Sequence, residues 1–396
     1  MLYKPDASEQ VVAVPVRVAA LDRARTFITL LVVLHHAVIN YTYYGNDGDR
    51  MRWLGFDLIV LFNDSFFMAC MFFISGLFVH DSLARRQPEK FLRRRAWRLG
   101  VPFLVSIFAI MPIAYYADFL RHHAEGMPDF SFPKFWWHTL TIGPWSSGSA
   151  WFLWVLLALD AIAALLWAAA PRAIEALGQL IFAVRNRPMT AFAAFLAFSV
   201  VIYLPLRLMF GDSSWLLPGH YPLPIQTSRI LLYAGYFFAG VGVGAVGLQA
   251  GVLTGNGALA KRWMVWLGFA MASYVAILLI VYIHHSGLVD LRSPPLWWHT
   301  AYGLAFATFS AAMTFTVPAV FLRFEQSSFW LLDAMQPSAY GIYLVHFIPL
   351  IWLQYAVYDP AFPAFVKFAI VFAGTLSISW GLTVLLRKIP VVARTI

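Results

Sequence analysis

The chain has 396 residues, of which 61% are hydrophobic and only 12% are charged, and its mean hydropathy is +0.71. Too few polar side chains are present to coat a soluble globule, so the composition excludes a soluble enzyme or binding module and indicates a polytopic membrane protein embedded in a lipid bilayer. The net charge of +9 would favour a nucleic-acid partner in a soluble chain, but here we attribute it to basic residues retained on the cytoplasmic side, and we expect no nucleic-acid partner.

Ten hydrophobic stretches of about 20 residues follow one another with short breaks, each long enough to cross the hydrocarbon core. They cover residues 26–44, 54–80, 99–120, 150–170, 189–210, 229–250, 264–285, 299–321, 335–358 and 363–386. If the chain starts inside, 20 of its 28 Lys and Arg residues fall on the inner side, which predicts that both termini are cytoplasmic. The predicted fold is all-α: one transmembrane domain over residues 21–388, between a cytoplasmic N-terminal segment, 1–20, and a cytoplasmic tail, 389–396.

The first predicted span carries a histidine and an arginine on one helix face. Arg25 and His36 are eleven positions apart, so a helix of ~3.6 residues per turn returns them to one face, with His36 roughly 16 Å deeper. Thr29 and Asn40 share that line, whereas His35 points about 100° away. Ionisable side chains at membrane depth usually mark a pathway or a reaction. We therefore take His36 as the candidate reactive group, although a core histidine with a hydrogen-bonded neighbour would give the same pattern.

The densest basic segment, DSLARRQPEKFLRRRAWR at 81–98, follows the second span. On a helix Arg98 shares a face with both Arg94 and Arg95, so that forked guanidinium groups could clamp phosphates. The alternative is that these arginines only anchor topology and contact anionic lipid headgroups.

Further polar groups fall inside later spans. His346 lies at a depth that could match His36, and is a second candidate for the site; a structural histidine bonded to a neighbouring helix is equally consistent. Asp64 and Asp160 are intramembrane acids, and either could orient an imidazole or accept an interhelical hydrogen bond. The histidines lack the spacing of a metal site, so no metal is expected. Tryptophans near the predicted outer ends, such as Trp136, Trp137 and Trp145, fit a membrane-interface belt or a surface that stacks on sugar rings.

Several motifs together resemble one known family. They are LDRARTFITLLVVLHHA at 21–37, FFISGLF at 72–78 with the following basic loop RAWR and Pro102, WFLWVLL at 151–157, LLYAGYFFAGVGVG at 231–244 and SAYGIYLVH at 338–346. In this order they resemble the acyltransferase type 3 group of integral membrane O-acyltransferases, from about Leu21 to Lys388. The departures are Ala24 and Thr26, where relatives often have leucine and glycine, and the additional His35.

The resemblance implies a bacterial inner-membrane enzyme. It would move an acyl group, of acetyl or succinyl type, from cytoplasmic acyl-CoA to a hydroxyl of an extracytoplasmic glycan or glycoconjugate, with acyl-CoA as substrate and no bound cofactor. His36 takes the catalytic position, Arg25 the basic position of the first motif, and Arg95 with Arg98 the two-arginine motif. Proteins that assemble envelope glycans are possible partners. A neutral imidazole can accept the proton of an attacking hydroxyl, so His36 is the predicted general base.

Two other function classes fit the residues. A proton-coupled transporter or flippase would use His36, His346 and Asp64 as relay groups, but the paired repeat halves typical of many transporters are not evident in the sequence. A noncatalytic assembly partner would bind glycan machinery without turnover.

Overall fold

The structure, a computed structural model, describes residues 16–44, 49–123, 131–216, 221–247, 253, 257–286 and 294–395. Within these ranges the chain is almost wholly helical, apart from one short antiparallel ribbon of β1 (Trp215–Leu216) and β2 (Ile225–Gln226). The α-helices are α1 (Val16–Ile39), α2 (Leu54–Asp64), α3 (Phe67–Gly76), α4 (Val79–Arg85), α5 (Pro88–Arg95), α6 (Val101–Val105), α7 (Met111–His123), α8 (Phe132–Thr141), α9 (Trp151–Ala169), α10 (Pro171–Ala183), α11 (Pro188–Phe210), α12 (Ile230–Val246), α13 (Ala258–Lys261), α14 (Trp263–His285), α15 (Leu296–Arg323), α16 (Trp330–Met335), α17 (Ala339–Val345), α18 (Phe347–Ala356), α19 (Ala364–Leu386) and α20 (Pro390–Ala393). The predicted all-α class is confirmed.

Eight helical segments of the described chain are long and apolar enough to cross a membrane, and a ninth is formed if the bent pair α16–α17 and α18 counts as one span. They are Leu54–Arg85, Pro88–Arg121, Gly148–Ala169, Pro188–Phe210, Thr227–Val246, Trp263–Ile283, Leu296–Arg323 and Ala364–Leu386. The first predicted span corresponds to α1, which falls outside this set because every 18-residue stretch of it contains Asp22, Arg23 and Arg25. With the bent pair and α1 each counted as one span, the number of spans in the described chain is the predicted ten. Helix α1 starts at Val16, so the predicted boundary at residue 20 falls inside a helix.

Helix α1 lies at the centre of the bundle, in contact with α2, α3, α15, α17 and α19. Ala24, Ile28, Val33 and Ala37 on it are wholly buried. The histidine-bearing helix is therefore surrounded by protein, which fixes the position of its polar face.

Helices α3 and α12 cross with their backbones in contact. A Cβ atom on Gly240 would lie 2.1 Å from the carbonyl oxygen of Phe73, and one on Gly76 would lie 2.1 Å from that of Phe237. Gly240 and Gly244 form a small-xxx-small pair of the kind that allows close helix approach in membranes. The glycines of the FFISGLF and LLYAGYFFAGVGVG motifs thus bring the two segments together.

Two short π-helical stretches, Ala96–Gly100 and Ser106–Ile110, interrupt the third span. Each precedes a proline, which cannot donate to the carbonyl four residues earlier. The carbonyl of Arg98, opposite Pro102, accepts a hydrogen bond from the Tyr340 hydroxyl at 2.5 Å. The carbonyl of Phe108, opposite Pro112, accepts one from the Trp136 indole at 2.8 Å. The freed carbonyls therefore anchor other segments to this span.

The ninth predicted span is bent by 65° at His346. Pro349 supplies the reason, because it has no N–H to bond to the carbonyl of Val345. The break places His346 at the end of α17, with its imidazole against α1. The predicted span over 335–358 is therefore a bent pair of helices.

Candidate active site

His36 and His346 form a direct pair at the centre of the bundle. Nδ1 of His36 lies 3.2 Å from Nε2 of His346, and the two rings stack with centroids 5.3 Å apart. His346 is wholly buried, whereas His36 is partly exposed. The structure therefore joins two histidines that stand 310 positions apart in the chain.

The hydrogen-bond partners assign the proton on each ring. Nδ1 of His346 lies 2.7 Å from the carbonyl oxygen of Tyr343. A carbonyl only accepts, so this nitrogen carries hydrogen, and the neutral His346 ring then has an unprotonated Nε2. Nδ1 of His36 must donate to it. The chain of bonds from Tyr343 thus leaves Nε2 of His36 with a free lone pair, the state that a general base requires.

Two further hydrogen bonds hold the linked side chains of Tyr343, His346 and His36 in place. The Tyr343 hydroxyl donates to the carbonyl oxygen of Ser149, at the start of the fourth span. The Gln354 amide donates to the carbonyl oxygen of His36 at 3.2 Å. Sequence reasoning missed Tyr343, Ser149 and Gln354 as site residues, because only their long-range contacts link them to His36.

A small cavity of about 220 Å³ lies on one side of the histidine pair. Its polar lining groups come from several helices: His36, Asn40, Tyr115, Asp118, Arg121, Gln354 and Tyr355. Arg121 lies 3.3 Å from Asp118 and its guanidinium stacks over the ring of Tyr358. Hydroxyl, amide and charged groups of this kind can hydrogen-bond the hydroxyls of a polyol.

A larger, basic cavity of about 590 Å³ lies on the other side. Arginines dominate the charge of its described lining: Arg25, Arg85, Arg86, Arg94, Arg95 and Arg98, with Asp22 as the acid. Arg25 lies 3.4 Å from Asp22 and its guanidinium stands over the Phe78 ring. The excess of guanidinium groups makes this cavity suited to phosphate groups, which arginine binds with paired donors.

The two cavities follow each other along the same helices. On α1 the basic cavity is lined as far as Val32 and the small cavity begins at His36, one turn further on. On α17 and α18 the basic cavity is lined as far as Tyr343 and the small cavity begins at Phe347. The histidine pair therefore lies between the two cavities along these helices.

Arg94, Arg95 and Arg98 all line the basic cavity, although the helix is not regular there. Arg95 ends α5 and Arg98 lies in the π-helical stretch, so their spacing differs from the α-helical face that the sequence predicts. Nε of Arg95 lies 3.1 Å from Oδ2 of Asp160, which is wholly buried. Asp160 therefore acts on a cavity-lining arginine rather than on an imidazole.

Asp64 lies outside the histidine pair. Both oxygens of its carboxylate accept hydrogen bonds from Arg229, at 2.9 and 2.6 Å, and its backbone carbonyl accepts a third at 3.1 Å. Arg229 thus neutralises the carboxylate of Asp64 and bonds to the backbone carbonyl at the C-terminal end of α2. Of the two roles that the sequence left open for Asp64, orienting an imidazole or accepting an interhelical hydrogen bond, these contacts correspond to the second. His35 packs on Phe67 and stands edge-on to His36, away from His346.

Two of the outer tryptophans have structural contacts. Trp136 and Trp145 donate to the carbonyls of Phe108 and Ile107 in the second π-helical stretch, whereas Trp137 is exposed. Some of the remaining histidines and basic residues lie outside the described residues or side chains: Lys4, Arg17, His122, His123, His220, His284, His285 and Arg292. In the part of the chain that is described, no group of three or more His, Cys, Asp or Glu side chains could hold a metal ion.

Comparison with known proteins agrees with the motifs. A family profile described as "Acyltransferase domain" matches residues 18–384. Glucans biosynthesis protein C of Escherichia coli (strain K12) is 30% identical over 151 residues, which is 36% of this chain and 37% of that protein. The proteins of the same name from Escherichia coli O1:K1 / APEC and from strain SMS-3-5 / SECEC match to the same extent. The alignment thus spans little more than a third of these relatives. With its long apolar helices the chain is an integral membrane protein, and because the profile covers almost all of it, it belongs to the acyltransferase type 3 family.

Proposed function

We propose that this protein is an O-acyltransferase that moves an acyl group from cytoplasmic acyl-CoA to a hydroxyl of an extracytoplasmic glycan, with His36 as general base. The observation that carries this proposal is the position of His36 and His346 between two cavities, one lined mainly by arginines and one lined by hydroxyl, amide and charged groups. A donor rich in phosphate and an acceptor rich in hydroxyls need two binding environments of this kind, joined at the reacting atoms.

The donor would occupy the basic cavity. Arg25, Arg94, Arg95 and Arg98 would hold the phosphates of CoA, and the thioester would reach along α1 past Val32 towards the histidine pair. About four helical residues separate Val32 from His36, a rise of roughly 6 Å. Arginine suits this role because its forked donors match phosphate oxygens.

The chemical step would proceed by attack of the acceptor oxygen on the thioester carbonyl. Nε2 of His36 takes the hydroxyl proton as the C–O bond forms, and the tetrahedral intermediate then expels the CoA thiolate. The imidazolium of His36 returns the proton to sulfur, so that ester and free CoA result and the histidine is regenerated. General-base assistance of this type typically supplies about 10²- to 10⁴-fold. His346 would hold the ring of His36 and share its charge.

The acceptor would enter the small cavity from the opposite side of the bilayer. The printed name of the relatives, glucans biosynthesis protein C, supports a glucan or related envelope glycan as acceptor. We accordingly propose the bacterial inner membrane as the location, an acyl group of acetyl or succinyl type, and envelope-glycan assembly proteins as partners. Both termini would then be cytoplasmic, as the charge distribution predicts.

The test uses purified protein in nanodiscs with radiolabelled acetyl-CoA or succinyl-CoA and an oligoglucan, and measures ester-linked label on the glycan. Wild type should transfer label, and His36→Ala should abolish transfer while retaining its thermal unfolding profile. His35→Ala is the matched control, because its ring faces away from His346, and it should keep most of the activity. Full activity of His36→Ala would contradict the proposed base. Solute uptake into proteoliposomes without acyl transfer would instead favour the transporter alternative.

A further inference from the structure

A third cavity, remote from the histidine pair, opens between α10, α11, α12 and α15, with a volume of about 620 Å³. Thr314 is the one polar side chain among the described residues that line it, and its hydroxyl is taken by the carbonyl of Ser310 at 2.9 Å. The volume falls within the range of about 300 to 1,000 Å³ typical of ligand pockets. Water would find almost no hydrogen-bond partner here, so the cavity suits a hydrocarbon occupant.

The cavity reaches inward from the surface helix α10 to α3, which packs against α12 and α1. Its outer wall is formed by Leu177, Leu180 and Val184, of which Leu180 is 70% exposed. Its inner wall includes Phe73 of α3 and Phe315 of α15, so a chain lying in it would leave the surrounding lipid and pack between transmembrane helices.

Four cations follow residues of the cavity lining within three positions in the sequence. Arg185 and Arg187 follow the lining residue Val184, and Lys261 and Arg262 follow the lining residue Leu259. None of the four forms an ion pair with a carboxylate of the described chain, and the sequence has no Asp or Glu over 176–211 or 251–289. Arg185 only donates to the carbonyl of Phe182 and stacks over its ring. This positive charge is therefore available to an anion.

We propose that the cavity binds an anionic phospholipid of the surrounding bilayer, with one acyl chain inside and the phosphate held by Arg185, Arg187, Lys261 and Arg262. The apolar lining accounts for the chain, and the four uncompensated cations account for the headgroup. Basic residues next to an apolar surface are the usual recognition elements for anionic lipids. This proposal is independent of acyl transfer, because none of its residues lines the other two cavities.

A tryptophan next to the cavity provides the readout. Trp266 is wholly buried and its ring lies 5.4 Å from that of Phe315, which lines the cavity. A brominated acyl chain in the cavity should quench its emission. Purified protein is placed in phosphatidylcholine nanodiscs that contain a small fraction of either brominated phosphatidylglycerol or brominated phosphatidylcholine, and emission of wild type is compared with that of Trp266→Phe to isolate the contribution of this residue.

The wild-type protein should show quenching of Trp266 by brominated phosphatidylglycerol at a mole fraction at which brominated phosphatidylcholine has little effect. Ala239→Phe or Ala194→Phe would fill the cavity and should remove the quenching. Replacing the four cations by glutamine should weaken the preference for phosphatidylglycerol by at least about fivefold, since even one cation near an anionic surface contributes a factor of that order. The matched control replaces Lys90, Arg93, Lys388 and Arg394, four exposed cations away from the cavity, and should leave the preference unchanged.

Thermal unfolding in pure phosphatidylcholine identifies any variant that fails to fold. The variants that do fold then test whether the cavity binds the lipid. Equal quenching by the two lipids would overturn the anionic preference, and with it the proposal. Quenching of Trp266 that persists in a folded Ala239→Phe or Ala194→Phe variant would show that the lipid chain does not enter the cavity. A doubling of mass in native mass spectrometry, with no retained lipid, would assign the surface to a second copy of the chain.

Discussion

Replacing His346 by leucine removes the acceptor for Nδ1 of His36 while keeping a buried side chain of similar size. In the proposed mechanism His36 gains a proton in the transition state, so the 3.2 Å bond between the rings becomes a hydrogen bond from a charged donor. Such bonds contribute about 1.5 to 3 kcal/mol, compared with about 1 kcal/mol for a neutral pair. The leucine variant loses the difference between the two, about 0.5 to 2 kcal/mol. Since about 1.4 kcal/mol corresponds to a tenfold change in rate, kcat should fall by about 2- to 30-fold.

The donor KM should stay unchanged, because His346 does not line the basic cavity. His346→Gln is the matched variant, since its amide oxygen can take the place of Nε2 as acceptor and should keep kcat close to that of wild type. The assay is steady-state acyl transfer in nanodiscs at saturating glucan, with thermal unfolding measured for each variant. If the leucine and glutamine variants lost the same activity, or if leucine left kcat unaltered, the hydrogen-bond chain from Tyr343 to His36 would have no role in catalysis.

Three further predictions follow from the cavities and the helix crossing. Arg95→Ala with Arg98→Ala should raise the donor KM at least tenfold with a smaller change in kcat, because the arginines would contact phosphates remote from the reacting carbonyl; an unchanged KM would restrict them to topology. Asp160→Asn leaves Arg95 without its buried partner, 3.1 Å away, and should lower both thermal stability and protection by CoA in a thermal-shift assay; the same CoA protection as in wild type would contradict this positioning role. Gly240→Ala should destabilise the protein by about 1 to 3 kcal/mol, since its Cβ would meet a backbone carbonyl, whereas Gly268→Ala, whose Cβ meets nothing, should be close to neutral in the same denaturation experiment.

Local periodicity was enough to predict parts of the site. The eleven-residue spacing of Arg25 and His36 placed both side chains on the polar face of α1, and that face lines the two cavities in succession. The basic segment 81–98 was likewise readable as a cluster, because its arginines are neighbours in sequence. Helical geometry also separated His36 from His35.

Contacts between distant segments were not predictable in this way. Asp64 pairs with Arg229, 165 positions away, and nothing in the local pattern of either residue indicates the other. The π-helical stretches and the bend at His346 arise from missing backbone donors at Pro102, Pro112 and Pro349. These prolines were visible in the sequence, but whether a proline kinks, widens or breaks a span depends on which side chains take up the freed carbonyl.

The most direct test of transfer across the membrane is a sided assay in proteoliposomes. Vesicles with oligoglucan trapped inside receive radiolabelled acyl-CoA outside, and ester-linked label on the trapped glucan is measured for wild type, His36→Ala and His35→Ala. We expect label inside the vesicles for wild type and for His35→Ala, free CoA outside, and no transfer by His36→Ala. Equal labelling by His36→Ala, or label that appears only when donor and glucan share one compartment, would contradict acyl transfer across the bilayer at His36.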